Sequence, residues 1–427
     1  MNANDRSIVS LVTIAHAMVH TYELSIPILV PIWLAEFSVI DVGVAQFPVN
    51  PATVGTLVAV GYGLFGLGAL PSGVLVDRVS ARFLITVGLL GMGASFLLLS
   101  VSPSPVVIGL ALAVWGVSAS VYHPSGLSLI SRGVEKRGSA FAYHGMAGNI
   151  GISLGPLVTI VLLLFLDWRV VVGLLTIPAV VAAVYALRVD IDERAAVVDG
   201  GGDADAHAGS AVSSLGDFLS SSRVLFASLF AVVFAVTFFS GLYYRGVLTF
   251  LPELLRDVPA LAPVEFGGRT FEPGDYLYVG LLMVGVLGQY VAGKLTDSYR
   301  PEYGITFGFG ALAVVALLFV PASAIGLPAL LVVSALLGFF LFAVQPFYQA
   351  TVAEFTPPGK RGLSYGFTYL GVFGVGALGA VIAGTLLTYF SVEQLFLVLA
   401  ALGVGASALG SYLVSAGTGR GDPDGAT

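Results

Sequence analysis

The sequence predicts an all-α polytopic membrane protein: twelve transmembrane helices in two pseudo-symmetric six-helix bundles, with both termini cytoplasmic. Three observations predict it. Of the 427 residues, 57% are hydrophobic and only 10% charged, with a mean hydropathy of +0.96, whereas an average soluble domain is about one quarter charged. Twelve apolar segments each approach the ~20 residues a helix needs to cross a bilayer. The arginines and lysines gather in alternate connections.

The first six segments run over 7–34, 53–76, 83–101, 106–131, 139–166 and 169–188. The second six run over 223–251, 275–296, 303–321, 328–355, 362–390 and 393–415. The first has no small-residue cleavage site and exceeds a signal-peptide core, so it reads as a retained span. Arg78 and Arg82 follow segment 2, and Arg132, Lys136 and Arg137 follow segment 4. Arg188, Arg194 and Arg223 flank the central connection, Lys294 and Arg300 follow segment 8, and Lys360 and Arg361 follow segment 10. The alternate connections offer only Arg169, Arg256 and Arg269. The positive-inside rule therefore puts the termini and the 189–222 connection in the cytoplasm.

That connection contains "DIDERAAVVDGGGDADAHAGSAVSS", small, polar and unpatterned, and is expected to be a flexible linker. It separates an N-terminal bundle (1–188) from a C-terminal one (223–415), and a disordered tail (416–427) is expected after them. There is no cysteine, which excludes disulfides, thiolate metal sites and cysteine nucleophiles. The net charge of −7 is mild, and much of the acid lies in the linker and tail, so no nucleic-acid partner is expected. The expected setting is the cell membrane, as a multi-pass monomer in contact with lipid.

"HAMVHTYE" (16–23) interrupts the first apolar segment with His16, His20 and Glu23. Spacings of four and three put all three on one helix face. A charge at the bilayer centre costs about 3 kcal/mol on insertion scales, so such groups face a bundle interior. A carboxylate beside imidazoles suits proton coupling, because histidine titrates near neutrality with little perturbation. A neutral hydrogen-bonded helix contact is the plainer reading. His16 lies nearer the cytoplasmic end and is the weakest of the trio.

His123 precedes Pro124, which breaks the helical ladder, so its imidazole either lines a cavity or satisfies backbone at the kink. His144, near the cytoplasmic end of segment 5, reads as ordinary packing, and Asn149 lies deeper in the same segment. Arg245 is the only arginine inside a segment. It sits toward the outer end of segment 7, where it can snorkel, bind an anionic group or pair with Glu23. Gln345-Pro346 occupies the place of His123-Pro124 in the second half. The glycines of segments 2, 5, 8 and 11 read as close helix packing.

The halves repeat. "GVLVDRVSAR" (73–82) matches "GKLTDSYRPE" (293–302), "YHPSG" (122–126) matches "VQPFY" (344–348), and "EKRGSAFAYHG" (135–145) matches "GKRGLSYGFTY" (359–369). A duplicated six-helix unit is the signature of a transporter with its site between the repeats. On these residues the chain resembles the major facilitator superfamily along essentially its whole length. Gly73, Leu75, Asp77, Arg78 and Arg82 resemble that family's loop motif, with Ser80 and Ala81 departing from it. Gly293, Leu295 and Asp297 form the second copy. "GNIGISLGP" (148–156) resembles its Gly-x-x-x-Gly-Pro antiporter motif without the following glycine pair. "YHPSG" with a histidine-bearing first span resembles the fosmidomycin-resistance type of efflux branch.

The loop motif has its own physics. Asp77 can accept from backbone N–H groups at a helix start, while Arg78 and Arg82 can pair with carboxylates or lipid phosphate. Such contacts, with Asp297, are expected to latch and release the halves.

The expectation is a secondary active transporter of a small organic solute by alternating access, coupled to H+ and directed to efflux. Its site residues are Glu23, His20, His123, Arg245, Gln345, Asn149 and His16. The alternative is an uptake symporter or uniporter of a small, anionic metabolite. A reading of another class is an intramembrane metal-dependent enzyme using His16, His20 and Glu23. No other span carries a His-x-x-His or His-x-x-x-His pair, so no metal, cofactor or catalytic residue is expected. The lack of a sizeable extramembrane domain disfavours a receptor or scaffold.

Overall fold

The structure is a computed structural model that describes residues 1–76, 78–196, 215–357 and 360–417. Among them, twelve helices are long and apolar enough to cross a membrane. Spans 1 to 6 are Ala3–Glu36, Pro51–Leu75, Ala81–Ser100, Pro105–Gly133, Arg137–Leu163 and Trp168–Arg188. Spans 7 to 12 are Phe230–Leu248, Pro273–Leu295, Pro301–Ile325, Leu327–Phe355, Gly362–Tyr389 and Val392–Gly417.

Local chemistry sets the helix starts. Asn50 caps span 2 through a capping box with Thr53, and Pro51 occupies the first turn, where its missing N–H is not needed. Asp167 caps span 6 through the Arg169 N–H at 2.9 Å. Asp5 is buried and accepts from the Glu135 and Lys136 N–H groups at the start of span 5. Glu193 does the same for span 3, accepting from the Ser80 hydroxyl and from the Ala81 and Arg82 N–H groups. Both carboxylates sit where the helix dipole favours an anion.

Those contacts correct the expected linker. Residues at 189–196 dock on the N-terminal half: Glu193 caps span 3, Asp192 hydrogen-bonds Asn4, and the Ala196 N–H reaches the Arg132 carbonyl. At the other end, Leu215–Phe226 is a helix, so 215–222 is helical rather than the flexible segment expected. The rest of that connection (197–214), and 418–427 of the tail, lie outside the described residues, while residues 416–417 end span 12.

Within each half the same packing recurs: span 1 on 5, span 2 on 4 and span 3 on 6, matched by 7 on 11, 8 on 10 and 9 on 12. The halves meet where span 2 packs on span 11 and span 5 on span 8. Small residues permit this, because apolar side chains gain nothing by leaving lipid and close backbone approach supplies the attraction. The tightest approach joins the halves: a Cβ on Gly66 would lie 1.9 Å from the Gly374 backbone nitrogen.

Among the described residues, hydrogen bonds join the halves at mid-membrane and on the face opposite the termini. On that face Ala52 N–H donates to Thr388 and Arg269 donates to the Leu164 carbonyl. Arg269 belongs to one of two short antiparallel hairpins, β1 (Val39–Asp41) with β2 (Gln46–Pro48) and β3 (Val264–Phe266) with β4 (Arg269–Phe271). Gly267 and Gly268 turn the second with φ of 61° and 73°, the left-handed pair a two-residue hairpin needs.

Replacing Gly66 by leucine is expected to part spans 2 and 11 and to lower stability by at least about 1–3 kcal/mol, read as a lower melting temperature in detergent. Gly138→Ala, whose added Cβ meets nothing within 4 Å, is expected to leave the melt within error of the native chain.

Candidate functional site

The site grows from one face of span 1. Glu23 accepts from His20 Nδ1 at 2.5 Å, His20 Nε2 faces His16 Nε2 at 3.0 Å, and His16 Nδ1 donates to the His144 carbonyl at 2.7 Å. His16 and Glu23 are buried and His20 is half-buried. The remaining carboxylate oxygen of Glu23 takes the Arg245 guanidinium, 222 residues away in the other half.

Arg245 does not snorkel. Its relative exposure is 1%, because Glu23 and the rings of Tyr62, Tyr244 and Phe373 surround it. The guanidinium lies over the ring of Tyr62 at 3.5 Å, with Tyr244 at 5.2 Å and Phe373 at 5.8 Å. Desolvated rings of this kind stabilise a cation by about 2 kcal/mol. Tyr62 also donates its hydroxyl to the Glu23 carbonyl at 2.9 Å, so one residue braces both members of the pair.

Aromatic groups line the termini side of the site. The His144 ring stacks on His16 at 3.8 Å, and Tyr122 flanks it at 5.4 Å. Gly148 leaves the room: a Cβ there would lie 2.5 Å from His16 Cε1, and Gly151 and Gly155 seat Ala17 and Thr21 in the same way. The glycines of "GNIGISLGP" thus form the groove that receives the polar face of span 1. His123 meets His16 edge-on at 5.2 Å and His20 at 5.7 Å, and across the halves it lies 5.1 Å from the ring of Tyr369. Span 4 is interrupted at Val121, just before His123-Pro124. Span 11 makes a π-helical turn at Leu370–Gly374, which carries Phe373. Such turns concentrate at functional sites.

The fold therefore brings together Glu23, His20, His16, His123 and Arg245. His16, the weakest member on sequence, is the centre of the imidazole group. Gln345 stands apart: its amide is 3.5 Å from Gln289 and it makes no hydrogen bond to the span 1 group. Asn149 is half-buried and makes none either. His144, Tyr62, Tyr369 and Phe373 belong to the site and were not selected from the sequence. His144 and Tyr369 both lie in the repeated segments 135–145 and 359–369, the one signal available. The fold also supplies the third imidazole that the span 1 pair lacked in sequence: ligating atoms of His16, His20 and His123 lie within 4.8 Å of one another.

In this conformation Arg78 and Arg82 make no hydrogen bond to described residues of the opposite half. Arg82 donates to the Leu187 carbonyl at 2.6 Å, within the N-terminal half. Arg78 and Asp297 are exposed. Asp77 lies outside the described residues.

Two buried polar atoms at the centre have no protein partner, Arg245 Nε and the Tyr278 hydroxyl. A third, His144 Nε2, lies in the imidazole group. Buried polar atoms are nearly always satisfied, which sets these three apart.

Comparison with known proteins agrees with this architecture. The chain is 26% identical over 345 residues to the gentisate transporter of Corynebacterium glutamicum, covering 79% of this chain and 72% of that protein. It is 35% identical over 108 residues to the puromycin resistance protein pur8 of Streptomyces alboniger, covering 25% and 22%. Its fold is similar to that of a bacterial homolog of the human lysosomal transporter Spinster in an inward-facing, unoccupied conformation. That match has a TM-score of 0.68 and 15% identity, over 98% of this chain and 96% of that one. It is also similar to the nucleoside transporter NupG, with a TM-score of 0.72 and 12% identity over 96% and 100%. A sequence model of the Major Facilitator Superfamily matches residues 9–325 and 275–424. The protein is thus a multi-pass transporter of a small solute in the cell membrane rather than an enzyme, and the chain belongs to the Major Facilitator Superfamily.

Proposed function

We propose that the protein co-transports a small organic carboxylate with a proton, by alternating access around the Glu23–Arg245 pair. The observation that carries this reading is the pair itself, a buried carboxylate and guanidinium from opposite halves, with His20 on the free side of the carboxylate. A substrate carboxylate competes with Glu23 for Arg245, which offers the fork geometry such groups fit. Displaced, Glu23 is an unpaired buried charge, at a cost of several kcal/mol. A proton passed from His20 removes that charge. Anion and proton are then bound in the same state and cross together.

This favours the co-transport alternative over the proton-driven export expected from the sequence. The gentisate transporter, a relative named for a carboxylate, supports it. Export in exchange for protons is the second reading, and the partial match to a puromycin resistance protein favours it. With the termini face taken as cytoplasmic, the cross-half hydrogen bonds lie at mid-membrane and outside, as in a carrier closed toward the exterior. Both halves of the site come from one chain, so a monomer suffices.

In proteoliposomes with an imposed pH gradient, labelled gentisate serves as the first of a panel of small carboxylates. Glu23→Gln is expected to abolish pH-driven accumulation while retaining exchange of labelled for unlabelled substrate. Accumulation that stays fully pH-driven in this variant sinks the coupling role. Accumulation driven by the opposite gradient selects the export reading.

Arg245→Gln is expected to raise the half-saturating concentration about 10- to 100-fold, the weight of a charged hydrogen bond. The Glu23→Gln/Arg245→Gln double variant is expected to melt higher than Arg245→Gln alone. Removing both charges leaves none orphaned, whereas breaking a buried pair costs about 3–5 kcal/mol.

A further inference from the structure

Hydrogen positions in the chain Glu23–His20–His16–His144 follow from which atoms can only accept. The His144 carbonyl has no hydrogen, so His16 Nδ1 must carry one to donate across 2.7 Å. A neutral imidazole holds one N–H, so His16 Nε2 is then a bare lone pair. It faces His20 Nε2 at 3.0 Å, an ordinary hydrogen-bond distance, and two lone pairs at that separation repel. His20 Nε2 must therefore carry a hydrogen. Between His20 Nδ1 and Glu23, 2.5 Å apart, there must be one more, on either the ring or the carboxyl. Whichever holds it, the chain contains one proton beyond the complement of an ionised glutamate and two neutral imidazoles.

We infer that, in the substrate-free protein, the coupling proton is already bound, held on His20 between Glu23 and His16. Arg245 on the far oxygen of Glu23 keeps the carboxylate ionised and the proton on the ring. This rests on the co-transport reading and adds the order of events: proton first, anion second. The buried charges are then Arg245 and His20 against Glu23, a net +1, which is the complement of a monovalent carboxylate. When substrate takes Arg245, the Nδ1 proton needs only to shift along the 2.5 Å N···O contact to Glu23, and no proton enters from solution. His20 keeps its Nε2 hydrogen and becomes neutral, so charge and hydrogen count both balance.

The other titratable groups around the pair are His123 and Tyr122 of span 4, His144 of span 5, Tyr62 of span 2, Tyr244 of span 7, Tyr278 of span 8 and Tyr369 of span 11. None is a second anion, so Glu23 alone counters the two cations. His16 is a positioning residue here: it acts by offering an acceptor.

The test is histidine nitrogen NMR on the full chain, labelled with 15N at histidine and reconstituted in lipid nanodiscs without substrate or added metal. The sequence has five histidines. At about pH 8, above the ordinary imidazole range, one imidazolium and four neutral rings are expected. His16→Leu removes the acceptor and is expected to abolish the imidazolium, whereas His16→Gln, whose amide oxygen accepts, retains it. Five neutral rings in the native chain overturn the inference without recourse to a variant. So does about one zinc per chain by elemental analysis, which would make the bridging cation a metal on His16, His20 and His123. The coupling assay on Glu23→Gln is separate. Five neutral rings with coupling intact overturn only the preloaded proton, and an imidazolium without coupling overturns only the co-transport.

Discussion

A carboxylate and a guanidinium removed from water together decide how the two halves of this protein meet. Neither Glu23 nor Arg245 is tolerable alone at 1% exposure, and each finds its partner only across the interface between repeats. The surrounding structure follows from that requirement. Tyr62, Tyr244 and Phe373 supply ring faces for the cation, and they come from both halves. Spans 2 and 11 must approach closely to present them, which is what the contact at Gly66 and Gly374 allows.

The polar face of span 1 is housed by a second device. Gly148, Gly151 and Gly155 recur at helical spacing on span 5 and receive His16, Ala17 and Thr21. A motif that resembles an antiporter signature thus has a local physical task, making room for an imidazole beside a backbone. The breaks in regular helix fall nearby, at Val121 in span 4 and at Leu370–Gly374 in span 11. Irregular backbone at membrane depth is tolerated where protein or a cavity covers it, and both breaks border His123.

The distribution of cross-half contacts suits a carrier. Hydrogen bonds join the halves at mid-membrane and on one face, while on the termini face each half is braced internally, by Asp5, by Glu193 and by Lys360 with Ser221. Rigid halves with few polar ties on one face can rock about a central pair. Strong cross-half pairing by the loop motif would oppose that motion, and Arg82 instead ties its loop to span 6.

Span number, the duplication and the polar stripe of "HAMVHTYE" were legible in the sequence, because hydropathy and helical period are local signals that the bilayer reads directly. So was the candidacy of Glu23, His20, His123 and Arg245, since ionisable groups in apolar segments stand out against their neighbours. Partners were not legible. Whether Arg245 reached water depended on Glu23 and Tyr62 of the other half closing over it, and a segment boundary does not report depth. His144 looked peripheral by position along span 5, yet the span 5 groove carries it onto His16. Gln345 had the right place in the repeat and faces Gln289 instead. The second short hairpin carried a Gly-Gly signal too brief to stand against long apolar runs. One-dimensional pattern determined which groups had to be hidden from lipid. Only the packing of two bundles, a matter of distances between residues far apart in the chain, decided which of them would neutralise one another.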